Sequence, residues 1–268
     1  MQGCVLDDYS IKNDVQQLYK EYNIMSLNEK LYKKFVNVYK CVKNEITAEN
    51  IREVYNELFT KYYHNEAVIK AAFIRQILFK SNNSITIFEL NSGESRLDLC
   101  KVNGKSVAYE IKTELDTLDR LDKQVNDYQR LFDEVYVICP ISKCQEVEKV
   151  IPLECGIYVY EEINDKLIFK VYKNVQKSEK IDVEYQLSTI TLEFLRKVVK
   201  DNSLTRGECI EICKKKYKKS TINTLYKRYL KIKYSDRWNF LKDNNEKILD
   251  IDYQWFFKNN ISPTCIYK

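Results

Sequence analysis

The chain switches between two kinds of hydrophobic spacing. From about residue 10 to residue 79, apolar side chains recur at helical intervals. Leu18, Tyr22 and Met25 make one stripe. Leu31, Phe35, Val38 and Val42 make a second, and Ile51, Val54 and Leu58 a third behind Thr47, a capping residue. Segment 64–79 is apolar almost all round and reads as a buried helix; Glu66 stands in its first turn, where an acid suits the helix dipole. Beyond residue 84 the period drops to two. Ile85–Leu90, Leu97–Val102 and Ser106–Lys112 read as strands. Thr117–Phe132 returns to a helical period behind Asp116, and Val135–Cys139 is a continuous apolar strand ended by Pro140. The order helix, three strands, helix, strand requires a crossover. It therefore predicts an α/β (α+β) core whose mixed sheet is covered by helices. A short helix over 143–150 and a hairpin from 156–160 and 167–172 extend it.

Residues 174–186 are polar and read as a linker. Leu192, Leu195 and Val199 then mark a helix. Thr205-Arg206-Gly207-Glu208 is a capping box opening another, and residues 221–230 form the next, after a basic turn over Lys214–Ser220. Two short helices about a basic turn suggest a helix-turn-helix or winged-helix arrangement, with Trp238, Phe240, Trp255, Phe256 and Phe257 supplying its apolar bulk. The pattern divides the chain into an N-terminal helical region (1–60), a core (61–174) and a basic helical domain (187–268).

Charge sharpens that division. The net charge is +5. Between Gln186 and Ser235, however, 13 Lys/Arg stand against 4 Asp/Glu, so the remainder is mildly acidic. A basic region on an acidic body suits a polyanion such as nucleic acid. The nine cysteines have no repeated spacing, which fits reduced thiols in a cytoplasmic protein better than a disulfide frame. The N-terminus lacks a basic start with an apolar run, and no stretch approaches 18 apolar residues. Neither a signal peptide nor a membrane span is expected.

The candidate chemistry lies in residues 89–112. Asn103-Gly104 is a hairpin signal. A two-residue loop would set Asp98 opposite Tyr109 and turn Glu110 to the other face. A three-residue loop through Lys105, with Gly104 left-handed, sets Asp98 opposite Glu110 and brings Lys112 to the same face. Two carboxylates and an ammonium on one face suit Mg²⁺ or Mn²⁺, hard ions that take oxygen ligands. Asp98, Glu110 and the Ile111 backbone carbonyl would be ligands, with Glu66 or Glu89 as a further acid. Lys112 would polarise the attacking water and stabilise the charged phosphoryl state. With His64 the single histidine, no histidine cluster competes for the role.

Asp98…Glu110-Ile111-Lys112, set in this order of elements, resembles the PD-(D/E)XK nuclease superfamily. The companions Arg96-Leu97-Asp98, Asp116…Arg120 and Gln124-x-x-x-Tyr128 are similar to a small bacterial and phage branch of it; Leu97 stands where the motif's proline would be. The resemblance covers about residues 60–140. It implies a restriction-endonuclease-like αβββαβ fold and a divalent-metal phosphodiesterase with catalytic Asp98, Glu110 and Lys112, completed by Glu66 and Gln124. Arg96, Arg120, Lys214, Lys215, Lys216, Lys218, Lys219, Lys227 and Arg228 are the candidate nucleic-acid contacts. The expected function is a nuclease, on DNA rather than RNA, in a mobile element or in defence, with a homodimer as one arrangement. The alternative of another class is a catalytically silent nuclease-fold module that binds nucleic acid or a protein partner.

Overall fold

The computed structural model describes residues 8–39, 46–176 and 179–267. Val42 of the second helical stripe lies outside them. The described chain divides into two compact units. One holds the residues up to Ile77, together with 162–167 and 239–268; the other holds 78–161 and 168–238. This cuts across the three-part division expected from the sequence. The basic helices up to Trp238 cluster with the sheet, and the C-terminal segment clusters with the N-terminal helices. None of the described helices is long and apolar enough to cross a membrane.

The first unit contains α1 (Asp8–Glu21), α2 (Asn28–Val38), α3 (Ile51–Tyr62) and α4 (Glu66–Phe73), with α11 (Tyr253–Asn259) and α12 (Pro263–Ile266). Helix α4 starts at Asn65, whose side chain accepts from the Val68 N–H, and runs into a π-turn at Ile74–Leu78. The expected stripes are partly rotated. Met25 is exposed and Ile24 is buried beside it. In α3 the buried face is Ile51, Tyr55 and Phe59, one position round from Val54 and Leu58, because the rings of Tyr55 and Phe59 fill more core than the aliphatic pair would.

Two buried charges brace this unit. Arg52 donates to Asn28 Oδ1 (2.7 Å) and to the Ile24 and Ser26 carbonyls (3.2 and 2.5 Å), closing the α1–α2 loop. Asp252 accepts from the hydroxyls of Tyr22 (3.0 Å) and Tyr267 (2.8 Å). Burial pushes the Asp252 carboxyl up to about 6, against the pull of Tyr267, Tyr22 and Arg52.

The second unit is built on a six-stranded sheet in the order β1 (Ile85–Ser92), β2 (Ser95–Asn103), β3 (Lys105–Ile111), β4 (Glu134–Pro140), β5 (Gly156–Ile163), β6 (Lys166–Lys173). The β1–β2 and β2–β3 pairs are antiparallel; β3–β4 and β4–β5 are parallel. The fold class is therefore mixed α/β, as the pattern requires. Parallel neighbours demand crossovers, and α5 (Leu121–Gln129) and α6 (Cys144–Val150) supply them. Helix α5 begins four residues later than its period suggests. Asp116 accepts from the Thr113 N–H and so closes a turn, with Arg120 taking the N-cap position. The central strands β3 and β4 are buried almost throughout, as parallel strands covered on both faces must be. One face carries Tyr109, Tyr136 and Tyr158; Tyr109 and Tyr136 stack with ring centres 5.9 Å apart. Gly156 pairs with Tyr136, and a methyl group on Gly156 would run into that ring.

Helices α7 (Val183–Thr189), α8 (Leu192–Val199), α9 (Arg206–Lys216) and α10 (Lys219–Asp243) follow. The Thr205–Glu208 capping box opens α9 as expected. Helix α10 runs for 25 residues rather than ending near 230, because Tyr226, Tyr229, Leu230, Trp238 and Leu241 extend its buried stripe past that point. Among the described residues no strand follows Lys173, so the winged-helix option is corrected to a purely helical segment without a wing. All seven described cysteines are free, and six of them are buried.

Two outcomes follow. Asp252 has a folded pKa above its unfolded value of about 3.9, so its contribution is complete below about pH 4 and is lost as pH rises through 6. Asp252→Asn should flatten this limb, narrowing the stability difference between pH 4 and 7 by about 2 kcal/mol; thermal melts of both proteins across that range measure it. Gly156→Ala should cost about 1–3 kcal/mol in urea unfolding, from overpacking against Tyr136.

Candidate functional site

The turn between β2 and β3 decides which side chains can meet. Asn103 pairs with Lys105 around Gly104, which has φ +70°, and Leu99 pairs with Tyr109. This is the longer-loop register, and continued by one step it sets Asp98 opposite Glu110. The two acids and Lys112 are all buried, at 8%, 3% and 9% exposure. Asp98 Oδ2 accepts from the Ile111 N–H at 2.7 Å, which ties its carboxylate to the neighbouring strand. Lys112 extends β3 through its N–H to the Ile138 carbonyl (2.8 Å), and its side chain returns to the face of Glu110. Its Nζ donates to Glu110 Oε1 at 2.8 Å and to Gln124 Oε1 at 2.9 Å. Gln124 reaches the site from α5, one turn before Tyr128, whose hydroxyl donates to Glu110 Oε2 at 2.7 Å. Both oxygens of Glu110 are thus held by donors. Burial, and then the Glu110 charge, push the Tyr128 phenol far above its ordinary range, so it stays a donor.

Strand β1 adds a third acid. Glu89 lies across from Asp98 in the β1–β2 register, and carboxylate oxygens of the two come within 4.8 Å of each other. Glu89 has φ +55° in the middle of a strand, where an ordinary residue is strained by the clash of its Cβ. The exposed Arg96 guanidinium pairs with the Glu89 carboxylate at 2.6 Å. Glu89 and Asp98 offer carboxylate oxygens and nothing softer, donors suited to a hard divalent cation rather than to zinc or copper.

The other expected residues are distributed as follows. Glu66 is exposed in the first turn of α4, in the other compact unit, and pairs with the buried Lys70. Arg120 is exposed at the start of α5. The basic set is split. Lys214 pairs with Glu184 (2.7 Å) and Glu211 (3.0 Å), and Lys227 with the buried Asp133 (3.0 Å). Burial works against ionisation of Asp133, yet Ser106, Asn223 and Lys227 hold its carboxyl below the usual range. Lys215, Lys216, Lys218, Lys219 and Arg228 are exposed at the end of α9 and the start of α10. A cleft of about 500 Å³ with Lys105, Asp133, Glu134, Lys219 and Lys227 in its walls lies at the opposite end of β3 from Glu110.

Two features were not read from the sequence. In the sequence Tyr128 stands only as the companion of Gln124, whereas in the structure its hydroxyl fixes Glu110; the signal is its place four residues after Gln124. The second is a cleft of about 480 Å³ beside Glu89, walled by Tyr185, Tyr226, Tyr229 and Tyr234. The spacing of Tyr226, Tyr229 and Lys233 at i, i+3 and i+7 could have announced it.

Fold and site define a mixed α/β protein whose sheet and crossover helix enclose an acid–lysine cluster. Residues 59–254 match the family described as bacteriophage P4 protein cII, and the chain belongs to that family. Protein cII of Enterobacteria phage P4 is 24% identical over 144 residues, which cover 52% of this chain. The chain spans about half of that relative's length, 54%. Among solved structures, a protein of unknown function from Silicibacter pomeroyi aligns over 55% of this chain and 88% of its own, with 12% identity and a TM-score of 0.33. That likeness is too slight to bear on the fold.

Tyr128→Phe isolates the hydroxyl that holds Glu110. It should lower stability by about 1–3 kcal/mol, because a buried carboxylate oxygen loses its donor. Urea unfolding measures the cost, and a change near zero would mean that water replaces the phenol.

Proposed function

We propose that this chain is a divalent-metal-dependent nuclease of the PD-(D/E)XK kind, acting on DNA rather than RNA. The observation that carries the reading is the clustering of Asp98, Glu110 and Lys112 on one buried face, with Gln124 bonded to the lysine. The element order α4, β1, β2, β3, α5, β4 is in keeping with a restriction-endonuclease-like core. The acids fit Mg²⁺ or Mn²⁺, with Asp98 and Glu110 as ligands, as the resemblance implies, and Glu89 as an acid within 4.8 Å of Asp98. Glu66 and the Ile111 carbonyl remain secondary candidates.

A bound divalent cation would acidify a water and offset charge building on the scissile phosphate. The chain's own residues do the rest. The Ile111 N–H fixes the Asp98 carboxylate, and Tyr128 fixes that of Glu110. Lys112, aimed by Gln124, presents an ammonium where negative charge accumulates in phosphoryl transfer. The exposed lysines between Lys215 and Lys219, with Arg228, supply phosphate contacts that orient without reading sequence. A phage relative is compatible with a mobile-element setting.

The test uses plasmid, linear DNA, single-stranded DNA and RNA, with Mg²⁺, Mn²⁺ or chelator. Asp98→Ala and Lys112→Ala should each lower the cleavage rate at least about 100-fold while circular dichroism shows a folded chain. Cleavage that survives either substitution or chelation refutes the site. Mn²⁺ binding without cleavage of any substrate favours the silent nucleic-acid- or protein-binding module instead.

A further inference from the structure

Apart from Glu89 in its wall, the tyrosine-walled cleft belongs to no part of the chemistry so far described. We propose that it seats an unpaired nucleotide and so leads a single strand, rather than an intact duplex, to the carboxylates. The second half of this statement rests on the nuclease reading; the first does not.

Size comes first. About 480 Å³ is room for one small ligand, and two paired strands do not enter a cleft of that volume. Its chemistry points to a base. Tyr226 and Tyr229 are buried at 1% and 5% exposure and make the floor, while Tyr185 and Tyr234 are half-buried in the walls. The rings are fixed before any ligand arrives. Phe194 meets Tyr229 nearly edge-on, with centres 5.3 Å apart, and the Arg130 guanidinium sits 4.4 Å from the centre of the Tyr185 ring. The half-buried phenols of Tyr185 and Tyr234 offer ring surface on which any base can stack, above the floor of Tyr226 and Tyr229.

The rim has a matching cation. Lys233 is exposed, its Nζ 3.1 Å from the Tyr229 hydroxyl and 5.4 and 5.2 Å from the ring centres of Tyr229 and Tyr234. It stands where a phosphate follows a stacked base. The other wall contains Glu89, within 4.8 Å of the Asp98 carboxylate and paired with the exposed Arg96. A nucleotide in the cleft therefore has the Lys233 ammonium at one rim and the Glu89–Asp98 acid pair beside the other wall.

The experiment separates binding from cleavage. Affinity for fluorescent oligo-dT, and for a duplex of equal length, is measured by anisotropy in chelator, where no metal-dependent cleavage occurs. Tyr234→Ala and Lys233→Ala are compared with wild type and with Lys197→Ala, a charge-matched control on α8. We expect each cleft variant to lose about tenfold in single-strand affinity, with duplex affinity and the control unchanged, and Tyr234→Phe to restore binding. Equal single-strand affinity in all variants overturns the proposal, as does an equal loss on duplex or a wild type that binds no single strand. Wild-type cleavage in Mg²⁺ is followed in parallel. Cleft-dependent binding with no cleavage leaves the nucleotide seat standing and removes the nuclease reading. Cleavage that is unaffected in KM by the cleft substitutions removes the seat alone.

Discussion

Everything near the candidate site depends on the donors that surround the buried Glu110 carboxyl. A carboxylate buried away from water costs several kcal/mol unless donors replace its hydration. Here each oxygen has a donor: Lys112 bonds one and Tyr128 the other. Those two donors come from different elements, so the requirement is also a positional one. Strand β3 must end where Lys112 can fold back over Glu110, and α5 must cross with Tyr128 and Gln124 facing the sheet. Helix α5 is thus held by its polar contacts as well as by Leu121 and Val125, which are fully buried.

The sheet side of the arrangement was legible in the sequence because it rests on local rules. Alternation marked the three strands, and Asn103-Gly104-Lys105 left only two registers, one of which joins Asp98 to Glu110. Helix ends were less legible. The period around 117–132 gave the right face of α5 but not its first turn, because Asp116 is drawn to the Thr113 N–H by geometry that only the folded strand end provides. In α3 the choice between Val54/Leu58 and Tyr55/Phe59 is made by neighbouring aromatic rings, which lie far along the chain. The compact units were least legible. No break in composition marks the point inside α10 where clustering changes, since a helix crosses it without interruption.

Charge count and charge availability also differ. The +9 stretch reads as one basic surface, yet Lys227 neutralises Asp133, and Lys214 answers Glu184 and Glu211. Of the remaining cations, Lys215, Lys216, Lys218 and Lys219 gather at the junction of α9 and α10, and the others are spread over α8, α9 and α10. The six buried cysteines are similarly deceptive in sequence; Cys209 and Cys213 face the core of α9 and behave as small apolar side chains.

The left-handed backbone at Glu89 has an implication for how this strand is maintained. A side chain there is held at a cost of about 1–2 kcal/mol that glycine would not incur. Selection for folding alone should exchange it, since Glu89→Gly both relieves the backbone and removes a negative charge from beside Asp98. A glutamate in that place keeps a strained backbone and a second carboxylate beside Asp98. Strand β1, at the border of the sheet, thus carries a backbone cost that a single substitution would release.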